Sequence, residues 1–425
     1  MIPSRSHLLS RMVLGACATL TLFACATTQG GWKAFHEGDY VTAVQEWTPV
    51  ARSGDAEAQY LLGLMYDEGR GVARDASQAV QWYTLAAEQG LPAAQNNLGL
   101  LYYEGYGVEQ SYEEAAHWYE MAAGQGFASA QSNLGVMYLF GQFVERDLDK
   151  ACTLLGEAAQ GGERNAQWIL GSIHYEGIGV QQDMAEAAKW YTLASEQGQA
   201  SAQHRMGLMY YRGQGVRKDT GKALEYLRQA AAQDVPEAEY LIGWMYDSGE
   251  GVSQDRTQAS EWFRRSAENG FAPACCNLGL MYLEGEGVSR DEVLGAKWLL
   301  RAADQGFALA QYNMALLYAS GRGVDQNRGQ SANWMERAAE QGLVAAQAKL
   351  GLLYEYGRGV GSDFVSAYKW YTLAMDQGSS NAKFDRERLA KKLTKAQIQS
   401  ALQGVQSWKS RQQSVEAEIP VRGMR

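Results

Sequence analysis

The sequence predicts an all-α protein built as a solenoid, in which similar pairs of antiparallel helices stack one after another. Three observations lead to this prediction: a unit of 36 residues repeats without insertion, each unit holds two helical patterns, and glycine separates them at fixed positions. A period between about 20 and 50 residues is typical of solenoids, whose units bury their apolar faces only against neighbouring units. The nine units begin at Ala56, Pro92, Ala128, Arg164, Ala200, Pro236, Ala272, Ala308 and Val344.

The first half of each unit predicts a helix that crosses another helix closely. In the first unit, apolar or small side chains recur at helical spacing from Ala58 to Tyr66. Gly63 is repeated as glycine in every unit except the eighth, where Ala315 takes its place. Because glycine inside a helix costs about 1 kcal/mol relative to alanine, its recurrence predicts a contact too close for a larger side chain.

A glycine turn and a capping residue join the first helix of each unit to the second. Gly69 and Gly71, with their equivalents, suit the left-handed backbone that ends a helix. Asp75 follows, and every unit has Asp, Ser or Asn at this position, which predicts an N-cap for the second helix. The third unit has Gln142 and Phe143 where its second turn glycine should be. We therefore expect that turn to be built differently.

The unit pattern AxAQxxLGxxYxxGxGVxxDxxxAxxWYxxAAxQG resembles the Sel1-like repeat, a variant of the tetratricopeptide repeat with a longer turn between its helices. The resemblance covers residues 56–379 without a gap. It implies a right-handed superhelical solenoid whose first helices line a concave groove. It also implies a role in binding other proteins, in settings such as envelope assembly, secretion and export complexes, or contact with a host.

Residues 1–25 predict a signal peptide that is separate from the solenoid. Two arginines precede an uncharged run of about 13 residues, Met12–Ala24, which is too short for a lasting membrane span. The run ends in Leu-Phe-Ala-Cys at Cys25, which resembles a bacterial lipobox and implies lipidation of Cys25, with sorting to the outer membrane. Cys17 belongs to a rival lipobox with too short an apolar run before it. Cleavage at the Ala-Cys-Ala sequence, residues 24–26, would instead give a soluble periplasmic or secreted protein.

The segments that flank the repeats predict terminal caps. Residues 26–55 read as a short linker and an abbreviated helix pair, and residues 380–409 read as capping helices with charge in place of the core pattern. Thr394 and Gln397 form a capping box for the last helix. Residues 410–425 form a basic tail that we expect to be disordered.

Composition and the scarcity of reactive groups argue against several functions. The net charge of −10 makes the body acidic, whereas nucleic-acid binding needs basic patches, so we exclude it. Outside the leader, Cys152 lies four repeats away from Cys275 and Cys276, too far for a disulfide bond. The histidines share no motif with a nucleophile or a metal ligand. We therefore expect no catalytic residue, no metal site and no cofactor, and a non-enzymatic protein.

A surface of the first helices remains as the candidate binding site. By similarity to tetratricopeptide arrays, positions equivalent to 57, 60, 64, 67 and 68 line the concave groove, and aromatic side chains concentrate at 60, 64 and 67 in the middle repeats. Aromatic residues are enriched at interaction hot spots because they bury a large area at low entropic cost. The candidate groove residues are Trp168, Tyr175, His204, Tyr211, Tyr240, Trp244 and Tyr312.

These observations predict an exported adaptor of the bacterial cell envelope. The groove would bind envelope, secretion or export proteins, and the lipid on Cys25 would hold the solenoid at the membrane. An alternative of a different class is a cell-wall-associated protein that stacks peptidoglycan or exported polysaccharide on the same aromatic side chains.

Overall fold

The structure, a computed structural model, describes residues 28–418, which form two compact units that meet between Lys218 and Asp219 in the chain. Every regular element in the described part of the chain is an α-helix. The helices of the first unit are α1 (Gln29–His36), α2 (Tyr40–Arg52), α3 (Ala56–Glu68), α4 (Ala76–Glu88), α5 (Pro92–Glu104), α6 (Tyr112–Gly124), α7 (Ala128–Phe140), α8 (Leu148–Gln160), α9 (Arg164–Glu176), α10 (Met184–Glu196) and α11 (Ala200–Arg212).

The second unit continues the same alternation of helices. Its helices are α12 (Thr220–Ala231), α13 (Pro236–Ser248), α14 (Arg256–Glu268), α15 (Ala272–Glu284), α16 (Glu292–Asp304), α17 (Ala308–Ser320), α18 (Arg328–Glu340), α19 (Val344–Tyr356), α20 (Phe364–Asp376), α21 (Ser380–Ala390) and α22 (Lys395–Glu418). Within each unit, successive helices pack against one another as stacked pairs. The predicted all-helical solenoid of paired helices with a 36-residue repeat is confirmed.

Glycine within the first helix of a repeat lets the paired helices approach closely. A Cβ atom added to Gly63 would lie 2.5 Å from Cδ1 of the Tyr83 ring in α4, and one added to Gly171 would lie 2.6 Å from Cδ1 of Tyr191 in α10. Real Cβ atoms do not approach other atoms this closely. The predicted close crossing of the two helices is confirmed, and Tyr83 and Tyr191 are buried at its centre.

The predicted N-caps are present at the start of each second helix. Asp75 Oδ1 accepts a hydrogen bond from the backbone N–H of Gln78 at 3.0 Å, which satisfies one of the free amides of the first turn. The equivalent side chains cap their helices in the same way, namely Ser111, Asp147, Asp183, Asp219, Asp255, Asp291, Asn327 and Asp363.

The turn of the third repeat keeps the backbone bonds of the other turns, so the prediction that it is built differently is wrong. The N–H of Gln142 donates to Met137 O at 3.0 Å, and the N–H of Asp147 donates to Tyr138 O at 3.2 Å, as at the equivalent positions of the other repeats. Phe143 takes the place of the second turn glycine and adopts its left-handed backbone, with φ at 62°. The surrounding hydrogen bonds hold this residue in a conformation that glycine adopts more easily.

In several repeats a buried glutamine of the first helix bonds to the repeat before it and to the second helix of its own repeat. Gln311 Nε2 donates to the backbone carbonyl of Ala303 at 3.1 Å, and Gln341 Nε2 donates to Gln311 Oε1 at 2.8 Å. Pairs of the same kind recur as Gln89 with Gln59, Gln125 with Gln95, Gln197 with Gln167 and Gln377 with Gln347. These bonds satisfy backbone carbonyls that the stacking of repeats removes from water.

Helix α22 covers the end of the second unit and extends further than the sequence predicts. The capping box is present, because Thr394 N donates to Gln397 Oε1 and Gln397 N donates to Thr394 Oγ1. The helix continues to Glu418, into the segment expected to be disordered. An ion pair from Lys409 and a hydrogen bond from the side chain of Gln412 hold this extension against α20 and α18. The predicted signal peptide, with Cys25, and residues 419–425 lie outside the described residues.

Candidate functional site

We call the positions equivalent to 60, 64 and 67 on the first helix of each repeat the groove face, although in several repeats their side chains are buried, as at Tyr60 and Cys276. In the first unit it includes Trp168 and Tyr175 on α9, and His204 and Tyr211 on α11. In the second unit it includes Tyr240 and Trp244 on α13, and Tyr312 on α17. The two groups belong to different units.

The prediction that Trp168 is an exposed groove residue is wrong. Its side chain is only 3% exposed, and its ring packs against the buried Tyr191 ring, with centroids 5.0 Å apart. Gly171 lies one turn after Trp168 and leaves room for the Tyr191 ring beside the helix. A large ring at this position therefore turns towards the second helix of its own repeat and joins the core.

Other aromatic groove positions keep part of their surface exposed. Tyr175 is half-buried and its hydroxyl donates to Gln214 Oε1 at 3.4 Å. Tyr211 is also half-buried, and the Lys218 ammonium lies over its ring at 5.6 Å from the centroid. Both side chains therefore keep part of their surface exposed.

His204 is held neutral by its surroundings. Burial lowers its pKa to about 4, and the positive charges of Arg205 and Arg212 act in the same direction. A histidine with this pKa is uncharged at neutral pH and can accept a hydrogen bond on one ring nitrogen. It is not tuned as a general base for neutral pH, since its pKa lies far below the working range.

Arg205 is a member of this site that the predicted groove positions did not include. Its guanidinium carbon lies 4.7 Å from the centroid of the Tyr175 ring, a cation–π contact. The charge also acts on the hydroxyl of Tyr191, whose pKa burial raises to about 12 and Arg205 partly lowers. No signal in the sequence marked it, because the equivalent positions carry neutral residues such as Asn133 but also another cation, Lys349.

In the second unit, the groove face is a half-buried apolar surface. The Tyr240 ring packs 5.5 Å from the Phe263 ring and 5.3 Å from the Phe271 ring, centroid to centroid. Burial raises the pKa of Tyr240, while a hydrogen bond with the Asn277 side chain opposes that change. Tyr240, Trp244 and Tyr312 all keep exposed surface while they pack on the core of this unit.

The same face carries an aliphatic side chain that is unusually exposed for its size. Leu316, on α17 one turn after Tyr312, is 37% exposed. Its equivalents on neighbouring first helices are Leu280 and Leu352, which are half-buried. The second unit therefore presents a row of partly exposed apolar side chains from successive repeats.

Comparison with known proteins identifies the repeat. The Sel1 repeat profile matches nine consecutive segments: 56–91, 92–127, 128–163, 164–199, 200–235, 236–271, 272–307, 308–343 and 344–379. The chain belongs to the Sel1 repeat family. Such repeats form interaction scaffolds that are generally non-enzymatic. Comparison with curated proteins found no match.

Two solved structures resemble this Sel1 repeat protein over most of its length. One is c5321, described as a protective antigen of uropathogenic Escherichia coli with an SLR fold, at 30% identity and a TM-score of 0.58, covering 100% of both chains. The other is a Sel1 repeat protein from Oxalobacter formigenes, at 35% identity and a TM-score of 0.56. That alignment covers 73% of this chain and 89% of the Oxalobacter chain.

Within residues 28–418, the Sel1 repeat protein shows no group of three or more His, Cys, Asp or Glu side chains arranged to hold a metal ion. Burial raises the pKa of the Cys275 and Cys276 thiols, that of Cys276 to about 12. Such thiols stay protonated and are poor nucleophiles. Among the same residues, no helix is both long and apolar enough to span a bilayer.

Proposed function

We propose that this Sel1 repeat protein is a non-enzymatic adaptor of the bacterial cell envelope, and that its groove face binds partner proteins. The observation that carries the proposal is the partly exposed apolar row of the second unit, with Tyr240, Trp244, Tyr312 and Leu316. A rigid surface of this composition binds at low ordering cost, since its side chains are already fixed by packing on the core.

The proposal places the protein outside the cytoplasm, held at the outer membrane by a lipid on Cys25. Its support is the leader-like sequence of residues 1–25 and the lipobox-like ending at Cys25. The related c5321 protein is described as a protective antigen, a property that fits a protein reached by the immune system of a host. The partners we propose are therefore envelope, secretion or export components.

In-cell photo-crosslinking tests the adaptor proposal. A photoreactive amino acid replaces Tyr240 or Tyr312, which are half-buried on the groove face, and in a control it replaces Glu261, which is exposed on α14 of the same unit. Trp168 is unsuitable because it is buried. We expect a discrete crosslinked protein from the two groove positions and not from the control.

The outcome also separates the adaptor from the glycan-binding alternative. If the Tyr240, Tyr312 and Glu261 positions all give the same products, or none, the groove face of this unit does not bind a protein. Isothermal titration with purified peptidoglycan fragments then tests the alternative directly. Heat released by wild type and lost in a Tyr240→Ala, Tyr312→Ala variant would support glycan stacking on the aromatic rings.

A further inference from the structure

Four side chains on two second helices of the first unit form an apolar patch that reaches the surface. Leu85 on α4 is 44% exposed, and Met121 on α6 is 42% exposed. Trp82 and Trp118 lie one turn before them, are half-buried and pack on the same core. We call these four residues the second-helix patch. A single exposed apolar side chain is ordinary, whereas a group of them with a polar rim is typical of an interaction site.

Hydrogen bonds between glutamine side chains hold the two helices of the patch side by side. Gln95 Nε2 donates to the backbone carbonyl of Ala87, two residues after Leu85, at 3.1 Å. Gln95 Oε1 accepts from Gln125 Nε2 at 2.8 Å, and Gln125 Nε2 also donates to the backbone carbonyl of Met121 at 3.3 Å. Two amide groups therefore join the last turns of α4 and α6, so the patch is already formed before a partner binds.

The second unit carries arginine at the position equivalent to Leu85. In the sixth, seventh and eighth repeats, this arginine lies over the tryptophan that is equivalent to Trp82, a cation–π contact. The three pairs are Trp262 with Arg265, Trp298 with Arg301 and Trp334 with Arg337, and the guanidinium carbon lies 4.8, 5.5 and 4.6 Å from the ring centroid. The repeat therefore folds with either a cation or an apolar side chain here, and the choice affects the surface rather than the core.

The surroundings of the second-helix patch are acidic. Glu88 lies one turn after Leu85 and Glu120 precedes Met121, and both glutamates are exposed. Residues 75–145, which include α4 and α6, hold eight exposed carboxylates and no lysine or arginine. A partner that fits this surface must supply positive charge next to apolar side chains, because charges across an interface are complementary.

We propose that the second-helix patch binds a basic amphipathic helix of a partner protein. Apolar side chains of that helix cover Leu85 and Met121, and its Lys or Arg side chains meet the surrounding carboxylates. This inference goes beyond the proposed function, because the patch lies on second helices and the groove face lies on first helices. Met121 is flexible and polarisable, so it adapts to apolar partners of different shape. Arginine at the equivalent positions of the second unit repels such a helix and restricts it to the first unit.

The test measures binding of a defined helix to the full chain. The probe is the fluorescein-labelled peptide LKKLLKLLKKLLKL, whose Leu and Lys side chains form opposite faces of a helix. One counterpart replaces every Lys by Glu, and another replaces every Leu by Gln. We expect saturable binding of the Leu/Lys peptide by fluorescence anisotropy at low salt, weakened at least tenfold in each counterpart and weakened by added salt.

Variants show whether the second-helix patch is the site. Leu85→Arg, Met121→Arg gives the first two repeats the tryptophan–arginine pairs that the second unit already has, so the protein should fold with a melting temperature close to that of wild type. We expect it to bind the Leu/Lys peptide at least tenfold more weakly. The matched control is Val293→Arg, Leu309→Arg, which adds the same charge at positions of the second unit that are 55% and 42% exposed. The control should bind as wild type does.

Two outcomes of these measurements overturn the inference. Binding that is unchanged in Leu85→Arg, Met121→Arg, or that falls equally in the control, would show a general attraction between opposite charges. A wild-type dimer in sedimentation that Leu85→Arg, Met121→Arg dissociates would assign the patch to a second copy of the chain.

Photo-crosslinking decides if the double variant fails to fold. A photoreactive amino acid at Met121 should capture the Leu/Lys peptide, and one at Arg301, the equivalent position in the second unit, should not. Equal capture at both positions, or none, overturns the inference. The adaptor proposal is tested separately by crosslinking from Tyr240 and Tyr312. A protein captured there with no peptide bound at the second-helix patch leaves the adaptor standing and removes this inference.

Discussion

At the scale of single residues, Phe143 shows how much stability a repeat loses when the glycine of its turn is replaced by a larger residue. Its backbone φ of 62° costs a residue with a Cβ atom roughly 1–2 kcal/mol. Its side chain is 60% exposed, so burial of the ring contributes little to the stability of the fold. We predict that Phe143→Gly stabilises the protein by up to about 1 kcal/mol, after the greater entropy of unfolded glycine is deducted. Urea unfolding measures the difference.

A matched variant separates the backbone effect from the loss of the ring. Phe143→Ala removes the ring but keeps the Cβ atom, so it should leave the free energy of unfolding nearly unchanged. If Phe143→Gly and Phe143→Ala have the same stability, or if glycine destabilises, the left-handed backbone is not the source of the cost.

The same scale shows what the sequence could predict and what it could not. Gly63 and its equivalents predicted the close helix crossing because glycine is unfavourable inside a helix unless a neighbouring element needs the space. Trp168 was misjudged because the position equivalent to 60 often faces inward: Asn96, Ser132 and Cys276 are buried there too. The ring reaches Tyr191 across the space beside Gly171, and such a contact depends on three-dimensional packing. Arg205 was missed because its contact with the Tyr175 ring joins two repeats and is visible only in the structure.

At the scale of elements, a buried ion pair attaches α21 to the preceding repeat. The Arg388 guanidinium donates to both carboxylate oxygens of Glu355, at 2.5 and 2.7 Å, and the Tyr371 hydroxyl donates to the same carboxylate at 2.9 Å. Only 1% of the Glu355 side chain is exposed. Removing Arg388 would leave a buried carboxylate with too few donors, so we predict that Arg388→Met destabilises the protein by about 3 kcal/mol. Urea unfolding of the variant beside wild type measures the loss.

The pH dependence of stability tests this ion pair independently. Burial alone would raise the pKa of Glu355, but the hydrogen bonds from Arg388 and Tyr371 outweigh burial and lower it. A carboxyl group with a lowered pKa stabilises the fold above its usual pKa, and that contribution is lost as the pH falls through the folded-state value. On acidification from neutral pH through the range where carboxyl groups titrate, the melting temperature of wild type should therefore fall more than that of Glu355→Gln, Arg388→Met. Equal slopes would contradict the role of the pair.

Helix bounds were predicted best where capping residues mark them. Asp75 and its equivalents begin the second helices, and Thr394 begins α22, as their side chains predict. The far end of α22 carries no such mark, and its basic composition resembles a disordered tail. The helix continues because Lys409 and Gln412 meet partners on α20 and α18, and these contacts cannot be seen in the sequence.

At the scale of the whole molecule, the fold was predictable because the core pattern repeats. The binding surface was less predictable because its side chains differ from one repeat to the next. Each repeat satisfies the same core pattern, so nine copies reinforce a single interpretation. The position equivalent to Tyr60 does not repeat: it is occupied by Asn96, Ser132, Trp168, His204, Tyr240, Cys276, Tyr312 and Ala348 in the successive repeats. Only His204, Tyr240, Tyr312 and Ala348 keep exposed surface there, and the others are buried. Side chains that differ between repeats are expected where a protein binds particular partners. Such positions can be interpreted only one at a time, because the repeat pattern does not predict them.

The proposed membrane anchor is a property of the whole chain and leads to the last prediction. A lipid on Cys25 would hold the repeats near the outer membrane, whereas the acidic body by itself has little affinity for an anionic surface. We predict that Cys25→Ala, with the leader of an unrelated exported soluble protein in place of residues 1–24, moves the protein from the membrane to the soluble periplasmic fraction. Wild type and a Cys17→Ala variant should remain in the outer-membrane fraction and incorporate labelled palmitate. Retention of the Cys25→Ala protein in the membrane, or release of wild type, would contradict the anchor.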